Sequence, residues 1–163
     1  MFDIVAHEPE IPPNTGNLMR LAVNTGCRLH LVHPLGFELD DSRLRRAGLD
    51  YRDYADVRHH ASFEAFLAAV APPRVWAYSQ HGEIRYDTAD IAPGDALLFG
   101  KESLGLPEPV LFHDAVAGRL RLPLAPGGRS LNLANAAAVA VYDAWRRLGF
   151  AVSPPPERGL ATS

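Results

Sequence analysis

Three short polar segments carry residue types that bind nucleotide-like ligands. The first, NTGNLMR, places the amide of Asn14 six residues before the guanidinium of Arg20. If a helix begins near Thr15, its backbone N–H groups and Asn14 can together hold a ribose or a phosphate, because helix N-termini attract anions. A capped helix with a solvated arginine would give the same pattern, so both interpretations stay open.

The second segment, FGKESLGLP, follows an apolar run and places Gly100 two residues before Glu102. A glycine lets a ligand approach the backbone closely. A carboxylate accepts hydrogen bonds from ammonium or hydroxyl groups. The segment therefore predicts a ligand-binding loop, with an ordinary loop that exposes an acid as the alternative.

The third segment, GGRSLNLAN, brings together Ser130, Asn132 and Asn135 ahead of the nearly uncharged run AAAVAVYDAW. One such side chain is enough to cap a helix, so the others are available to a ligand. A helix with so little charge is buried on several sides. We expect it to lie in the core or against a second copy of the chain.

The elements that position these segments alternate along the chain. Apolar runs predict strands at 2–6, 28–32, 57–60, 74–79, 95–100 and 118–124, and helices at 17–26, 42–49, 62–70, 107–112 and 130–148. Asn14 or Thr15 is expected to cap the first helix, and Gly26 to end it. The alternation predicts an α/β domain with a mostly parallel sheet, and ligands bind at the carboxyl ends of such strands.

Composition narrows the class of protein. The chain has 163 residues, which suits one domain over 1–150, followed by a Pro-rich tail at 151–163 that we expect to be disordered. A single cysteine, Cys27, excludes an intramolecular disulfide and favours a cytoplasmic location. We expect no membrane segment and no signal peptide. A net charge of -3 argues against nonspecific coating of nucleic acid, although it leaves room for a local basic patch.

Several kinds of site lack support. Neither the dinucleotide fingerprint GxGxxG nor the phosphate loop GxxxxGKS is present. The seven histidines do not pair at a zinc spacing, and the adjacent His59 and His60 would face opposite sides of a strand. We therefore expect no metal site.

Four segments in chain order carry a resemblance to a known family. They are EPEIPPNTGNLMRLAVNTG, RLRRAGLDY, LLFGKESLGLP and RLPLAPGGRSLNLANAAAVAVYDAWRRLG. Together they resemble the SPOUT superfamily of RNA methyltransferases, and most closely its small single-domain type that 2′-O-methylates the wobble nucleotide of certain tRNAs. The resemblance covers about residues 1–150. Lys101 and Ser103-Leu104 depart from the family's pattern, which leaves the choice of RNA open.

The resemblance implies a fold and a reaction. Helices would cover both faces of the sheet, and the C-terminal part would form a deep trefoil knot. A methyl group would pass from S-adenosylmethionine to the ribose 2′-oxygen of cytidine or uridine 34, in leucine tRNA isoacceptors, leaving S-adenosylhomocysteine. The enzyme would work as a homodimer through the last helix, residues 130–148.

The resemblance also implies roles for individual residues. The expected catalytic set is Asn14, Arg20, Ser130 and Asn132. The expected cofactor contacts are Tyr78, Gly100, Glu102, Leu122, Ser130 and Leu131. The family proposal makes the arginine at the position of Arg20 the general base. Since arginine normally stays protonated, a charged Arg20 that stabilises the alkoxide and holds a phosphate is the alternative.

Arginines are the expected RNA contacts, because the guanidinium suits bidentate phosphate binding. The candidates are Arg43, Arg45, Arg46, Arg146 and Arg147. Each group would equally suit a solvated helix face. Three other functions stay open: a ribose methyltransferase for another RNA such as ribosomal RNA, a non-catalytic RNA-binding protein of the same fold, and a small-molecule enzyme that uses another nucleotide.

Overall fold

The strands of this computed structural model, which describes residues 1–38 and 56–151, are short and mutually parallel. They are β1 (Asp3–His7), β2 (Arg28–Val32), β3 (Val57–His60), β4 (Val75–Tyr78), β5 (Ile84–Arg85), β6 (Ala96–Phe99) and β7 (Val116–Arg121). They form one sheet in the order β3-β2-β1-β6-β4-β7-β5. The predicted α/β architecture with a parallel sheet is confirmed.

In the described residues, four α-helices and one 3₁₀ helix accompany these strands. They are α1 (Pro12–Thr25), α2 (Phe63–Val70), α3 (Glu108–Leu111), α4 (Leu133–Arg147) and the 3₁₀ helix Tyr86–Thr88. Ser62 caps α2 by accepting a hydrogen bond from a backbone N–H in its first turn. Gly26 ends α1 in the left-handed region, as predicted, with φ at 69°.

The predicted cap of α1 is wrong. The helix begins at Pro12, two residues before Asn14, and no side chain caps it. Two prolines supply the helix start, because their fixed φ suits the first turn and they lack an N–H that would need a partner. Asn14 and Thr15 therefore lie inside the helix, where both are buried.

The core lies in two layers, one on each face of the sheet. Along the central strands, alternate residues point to opposite faces, so Leu97 and Leu98 belong to different clusters. The first face packs against α1 and α4, whose buried residues are largely leucine and alanine. The second packs against Phe63 and Phe66 of α2 and Val110 of α3. The prediction that helices cover both faces agrees with this arrangement.

A crossing of the chain occurs beside β7. This strand lies between β4 and β5, which precede it in sequence, so residues 79–83 must pass over it. Gly82 allows the chain to pass this close to β7, since an added Cβ there would lie 2.5 Å from the carbonyl carbon of Leu120. Connections that cross are rare in folds. The trefoil knot itself stays a prediction.

Some predictions fall outside the described residues. These are the basic helix at 42–49, with Arg43, Arg45 and Arg46, and the tail from residue 152 onward. The two-residue strand β5 was not predicted, because it is too short to give an apolar pattern. None of the helices in the described ranges has both the length and the apolar composition that a membrane crossing needs.

Candidate active site

One cavity opens where β4, β6 and β7 end, with a volume of about 630 Å³. Small-molecule sites commonly occupy about 300–1,000 Å³. The lining includes all six residues predicted to contact a cofactor: Tyr78, Gly100, Glu102, Leu122, Ser130 and Leu131. The fold thus brings together side chains separated by more than fifty residues in sequence. Their contact with a cofactor stays a prediction.

Gly100 is required by the chain itself. A Cβ at this position would lie 2.2 Å from the carbonyl carbon of Gly105. The loop between them closes through an antiparallel bridge between Lys101 and Gly105, and Gly105 has φ at 72°. The loop thus returns on itself tightly, and its own backbone needs the small residue whether or not a ligand also approaches it.

Glu102 joins the loop after β6 to the start of α1. Its carboxylate accepts hydrogen bonds from the Asn14 side chain at 2.8 Å and from the backbone N–H groups of Glu10 and Ile11 at 2.8 and 3.3 Å. The protein itself therefore supplies three hydrogen-bond donors to a carboxylate that the sequence predicted to contact a ligand. Glu102 therefore holds the Asn14 side chain in place and also forms part of the cavity wall.

Asn132 completes a chain of polar groups. Its Nδ2 donates to Oδ1 of Asn14 at 2.8 Å, while its own Oδ1 caps α4 by accepting from the N–H groups of Ala134 and Asn135. The sequence predicted that one polar residue would cap this helix and the others would do something else. The structure shows that Asn132 does both, and Ser130, two residues earlier, lines the cavity.

Arg20 lies apart from this network. Six residues separate it from Asn14, which places the two side chains on different sides of α1. Asn14 is buried, whereas Arg20 is exposed and does not line the cavity. The predicted catalytic set is thus brought together only in part by one copy of the chain.

Most described arginines are held by the protein itself. Arg147 donates to the backbone carbonyls of Ala89 and Tyr86 and to Asp143, and Arg146 also pairs with Asp143. Arg129, by contrast, is exposed, and within the described ranges it has no hydrogen bond or ion pair. It directly precedes Ser130 at the cavity. Sequence reasoning missed it, although its place in GGRSLN was a usable signal.

Tyr78 is unsuited to proton transfer at neutral pH. Burial raises the pKa of its hydroxyl well above the usual value. The ring stacks on Phe99 with centroids 4.7 Å apart, and the hydroxyl lacks a hydrogen-bond partner among the described residues. Tyr78 therefore serves as a wall of the cavity.

Histidines form pairs on or directly after β2 and β3, and none of these paired histidines lines the cavity. His30 lies 2.9 Å from His60 and 3.1 Å from Asp3, all three of them buried. His33 and His59 form a second pair. As predicted, the neighbours His59 and His60 face opposite sides of β3. In the described part of the chain, no three His, Cys, Asp or Glu side chains cluster in a way that could hold a metal ion.

Comparisons with known proteins match nearly the whole chain. A family model described as the SpoU rRNA Methylase family covers residues 1–142. A protein of Aeromonas hydrophila named tRNA (cytidine(34)-2′-O)-methyltransferase is 56% identical over 94% of this chain and 98% of its own. A protein of Escherichia coli with the same name is 48% identical over 92% of this chain and 96% of its own.

Solved structures show the same fold. One, described as giving structural insights into the 2-OH methylation of C/U34 on tRNA, has a TM-score of 0.84 and 47% identity, and covers 93% of this chain and 98% of its own. An rRNA methyltransferase of Sinorhizobium meliloti with bound AdoMet has a TM-score of 0.78 and 26% identity, over 90% of this chain and 56% of its own.

Proposed function

The chain belongs to the SpoU rRNA methylase family, and we propose on that premise that it methylates the ribose 2′-oxygen of the wobble nucleotide of tRNA. The observation that carries this proposal is the match, at about half identity and over nearly full length on both sides, to proteins named tRNA (cytidine(34)-2′-O)-methyltransferase. The expected substrates are leucine tRNA isoacceptors with cytidine or uridine at position 34. The resemblance to the SPOUT superfamily is confirmed.

The cavity fits S-adenosylmethionine as the methyl donor. Its walls combine apolar side chains such as Leu122 and Leu131 with backbone groups of the loop from Gly100 to Leu106, which suits an adenosine with a polar tail. The related S. meliloti enzyme binds AdoMet, which supports the same assignment. When bound, this cofactor supplies a methyl group on a positively charged sulfur, and S-adenosylhomocysteine is the product.

The hydrogen-bonded side chains of Asn14, Asn132 and Glu102 would hold the ribose. Asn14, Asn132 and Glu102 fix one another, so the amides beside the cavity are positioned before RNA arrives. Positioned groups contribute much of the rate when the donor is already reactive. Ser130 lies where α4 meets the cavity and is the hydroxyl best placed to contact the sugar.

Arg20 would act on the developing alkoxide. A guanidinium stays protonated, so it stabilises negative charge on the 2′-oxygen and holds an adjacent phosphate, while the hydroxyl proton leaves to water rather than to Arg20. Because Arg20 is exposed and outside the cavity lining, this role requires a second subunit to bring the arginine to the site.

The exposed side of α4 supports a homodimer. Ala137, Ala140 and Ala144 face the core, while Val139 and Tyr142 lie on the opposite side and are 40% and 44% exposed. Apolar side chains three or four residues apart lie on one face of a helix, so Val139 and Tyr142 form one apolar stripe on α4. A second copy that covers this stripe would also approach the exposed side of the neighbouring α1.

RNA binding would use Arg129 at the cavity mouth, with Arg43, Arg45 and Arg46 as further candidates outside the described residues. Lys101 is neutralised by Glu8 at 3.0 Å, and Arg119 by Glu83. Arg129, by contrast, has no hydrogen bond or ion pair within the described ranges, so its guanidinium is available to a phosphate. Arg147 has less to offer RNA, since backbone carbonyls and Asp143 occupy its donors.

The test is methyl transfer from labelled S-adenosylmethionine to unmodified tRNA, followed by nucleoside analysis. We expect label in 2′-O-methylcytidine or 2′-O-methyluridine at position 34. A leucine tRNA with a 2′-deoxyribose at that position is the matched control and should accept no methyl group. Label in the deoxy control, or in ribosomal RNA alone, would contradict the proposed substrate.

A further inference from the structure

The segment between β1 and α1 exchanges hydrogen bonds in both directions with the loop after β6. Glu10 donates its backbone N–H to Oε2 of Glu102 at 2.8 Å. Ser103 donates its backbone N–H to Oε2 of Glu10 at 2.9 Å, and its hydroxyl to Oε1, also at 2.9 Å. Each segment thus gives an N–H to a glutamate of the other, so neither can shift without breaking bonds at both ends.

Other contacts hold Glu10 in place. Glu8 has φ at 50°, a strained backbone that turns the chain after β1, and its carboxylate pairs with Lys101 at 3.0 Å. On the other side, the chain at Gly36 lies so close that a Cβ there would be 2.8 Å from the Cα of Glu10. The backbone of Glu10 is therefore enclosed between two loops.

We propose, on the basis of the proposed function, that Glu10 is a positioning residue that sets the loop from Gly100 to Leu106 relative to Asn14. Glu10 does not itself line the cavity, whereas Glu102 and Ser103 do. Asn14 lies four residues after Glu10 and bonds the same Glu102 carboxylate. The reciprocal contact therefore couples the position of Asn14 to that of the cavity wall at Glu102 and Ser103.

The charge of Glu10 suits this role. Hydrogen bonds from the hydroxyl and the backbone N–H of Ser103 hold the pKa of the Glu10 carboxyl below its usual range. The carboxylate is therefore ionised at neutral pH, and hydrogen bonds to an ionised acceptor are stronger than bonds between neutral groups. Ser103, where the sequence departs from the family's pattern, thus has Glu10 as its hydrogen-bonding partner.

Calorimetric titration of S-adenosylhomocysteine into the full chain tests the proposal without RNA. Glu10→Ala should weaken binding roughly tenfold, since misplacing a binding loop by a fraction of an ångström has effects of this size. Ser103→Ala should weaken binding by less, because the backbone N–H of residue 103 still donates to Glu10. The double variant should bind no more weakly than Glu10→Ala, because Glu10→Ala already removes both hydrogen bonds from Ser103. Glu10→Gln should bind within about threefold of wild type, because its amide can accept from the Ser103 N–H and donate to the hydroxyl.

Asp87→Ala is the matched control, because it also removes a partly exposed carboxylate with a hydrogen-bonded partner, Arg85, and neither of these two residues lines the cavity. It should leave binding unchanged. Additive losses in the double variant, or Glu10→Ala binding as wild type does, would overturn the proposal. Failure of Glu10→Gln to restore binding would do the same. If wild type binds the ligand but methylates no tRNA, only the proposed function fails.

Turnover separates positioning from mere folding. Glu10→Ala should raise the KM for S-adenosylmethionine and also lower kcat, because Asn14 shifts with the loop, and Glu10→Gln should restore both. A loss confined to thermal stability, with both kinetic constants at wild-type values, would show that Glu10 is only structural.

Discussion

Asn132 donates its side-chain Nδ2 to Oδ1 of Asn14 at 2.8 Å, while its own side-chain Oδ1 caps α4. These residues are 118 positions apart in the sequence. One side chain thus ends the loop at the cavity, starts the last helix and fixes the amide that Glu102 also holds.

These two roles of Asn132 can be separated by substitution. Asn132→Ala should lower the free energy of unfolding by about 1–2 kcal/mol, because the cap and the bond to Asn14 are both lost. Asn132→Ser keeps a capping oxygen but is too short to reach Asn14. It should recover most of the stability in urea unfolding, while its methyl-transfer rate stays close to that of the alanine variant. Full activity in Asn132→Ser would show that the bond to Asn14 does not contribute.

The role of Arg20 is tested by Arg20→Lys, which keeps the charge and loses the planar fork. We expect kcat to fall about a hundredfold, as when one donor to a developing oxyanion is removed. Binding of S-adenosylhomocysteine should not change, because Arg20 does not line the cavity. The rate of the lysine variant should depend on pH in the same way as the rate of wild type. Full activity in the lysine variant would rule out a role that depends on the fork.

Arg129 is predicted to contact a phosphate of the RNA. Arg129→Ala should raise the KM for tRNA and reduce the slope of log K against log salt by about one, as for the loss of one phosphate contact. Cofactor binding should stay at its wild-type value. The control is Arg85→Ala, an exposed arginine already paired with Asp87. An equal effect of both variants would indicate a nonspecific effect of charge.

The stripe on α4 predicts the oligomeric state. Replacing Val139 and Tyr142 together by aspartate should convert a dimer to a monomer in sedimentation, because charges would enter an apolar interface. Methyl transfer should be lost as well if the partner supplies Arg20. Phe112→Asp, which removes another exposed apolar side chain, is the control and should stay dimeric. A wild-type chain that sediments as a monomer would contradict the proposal.

Two buried histidines predict how stability depends on pH. Burial lowers the pKa of His7 and of His60 below the ordinary value of 6.5, and nearby His30 adds to the effect on His60. Between the lowered values and 6.5 the unfolded chain binds more protons than the folded chain, so stability rises with pH in that window. The stabilisation is complete above 6.5 and is lost as the pH falls below it.

Urea midpoints measured from about pH 5 to pH 8 check this sign, because histidine titrates in that range. His60→Gln should flatten the profile, since glutamine cannot take up the proton. A midpoint that rises as the pH falls below 6.5 would contradict the prediction.

The apolar pattern of the sequence was enough to predict the class of fold and the edge of the sheet where the site lies. Apolar runs such as ALLF and VWAY are buried on both faces, so their pattern records burial directly. Polar loops after such strands must gather at one edge of a parallel sheet. The start of α1 was misplaced because an asparagine is also an ordinary cap, and two prolines supplied the start instead.

Which side chains meet at the site could be seen only in the folded chain. Glu102 and Asn14 are 88 positions apart, and Glu10 and Ser103 are 93 apart. No local pattern encodes these pairs, because each bond depends on the order of β1 and β6 in the sheet and on distances of a few ångströms between loops. Burial repeats along a strand and can be recognised in the sequence, whereas a hydrogen bond between two loops occurs once, and it forms only when the whole sheet has brought its partners together.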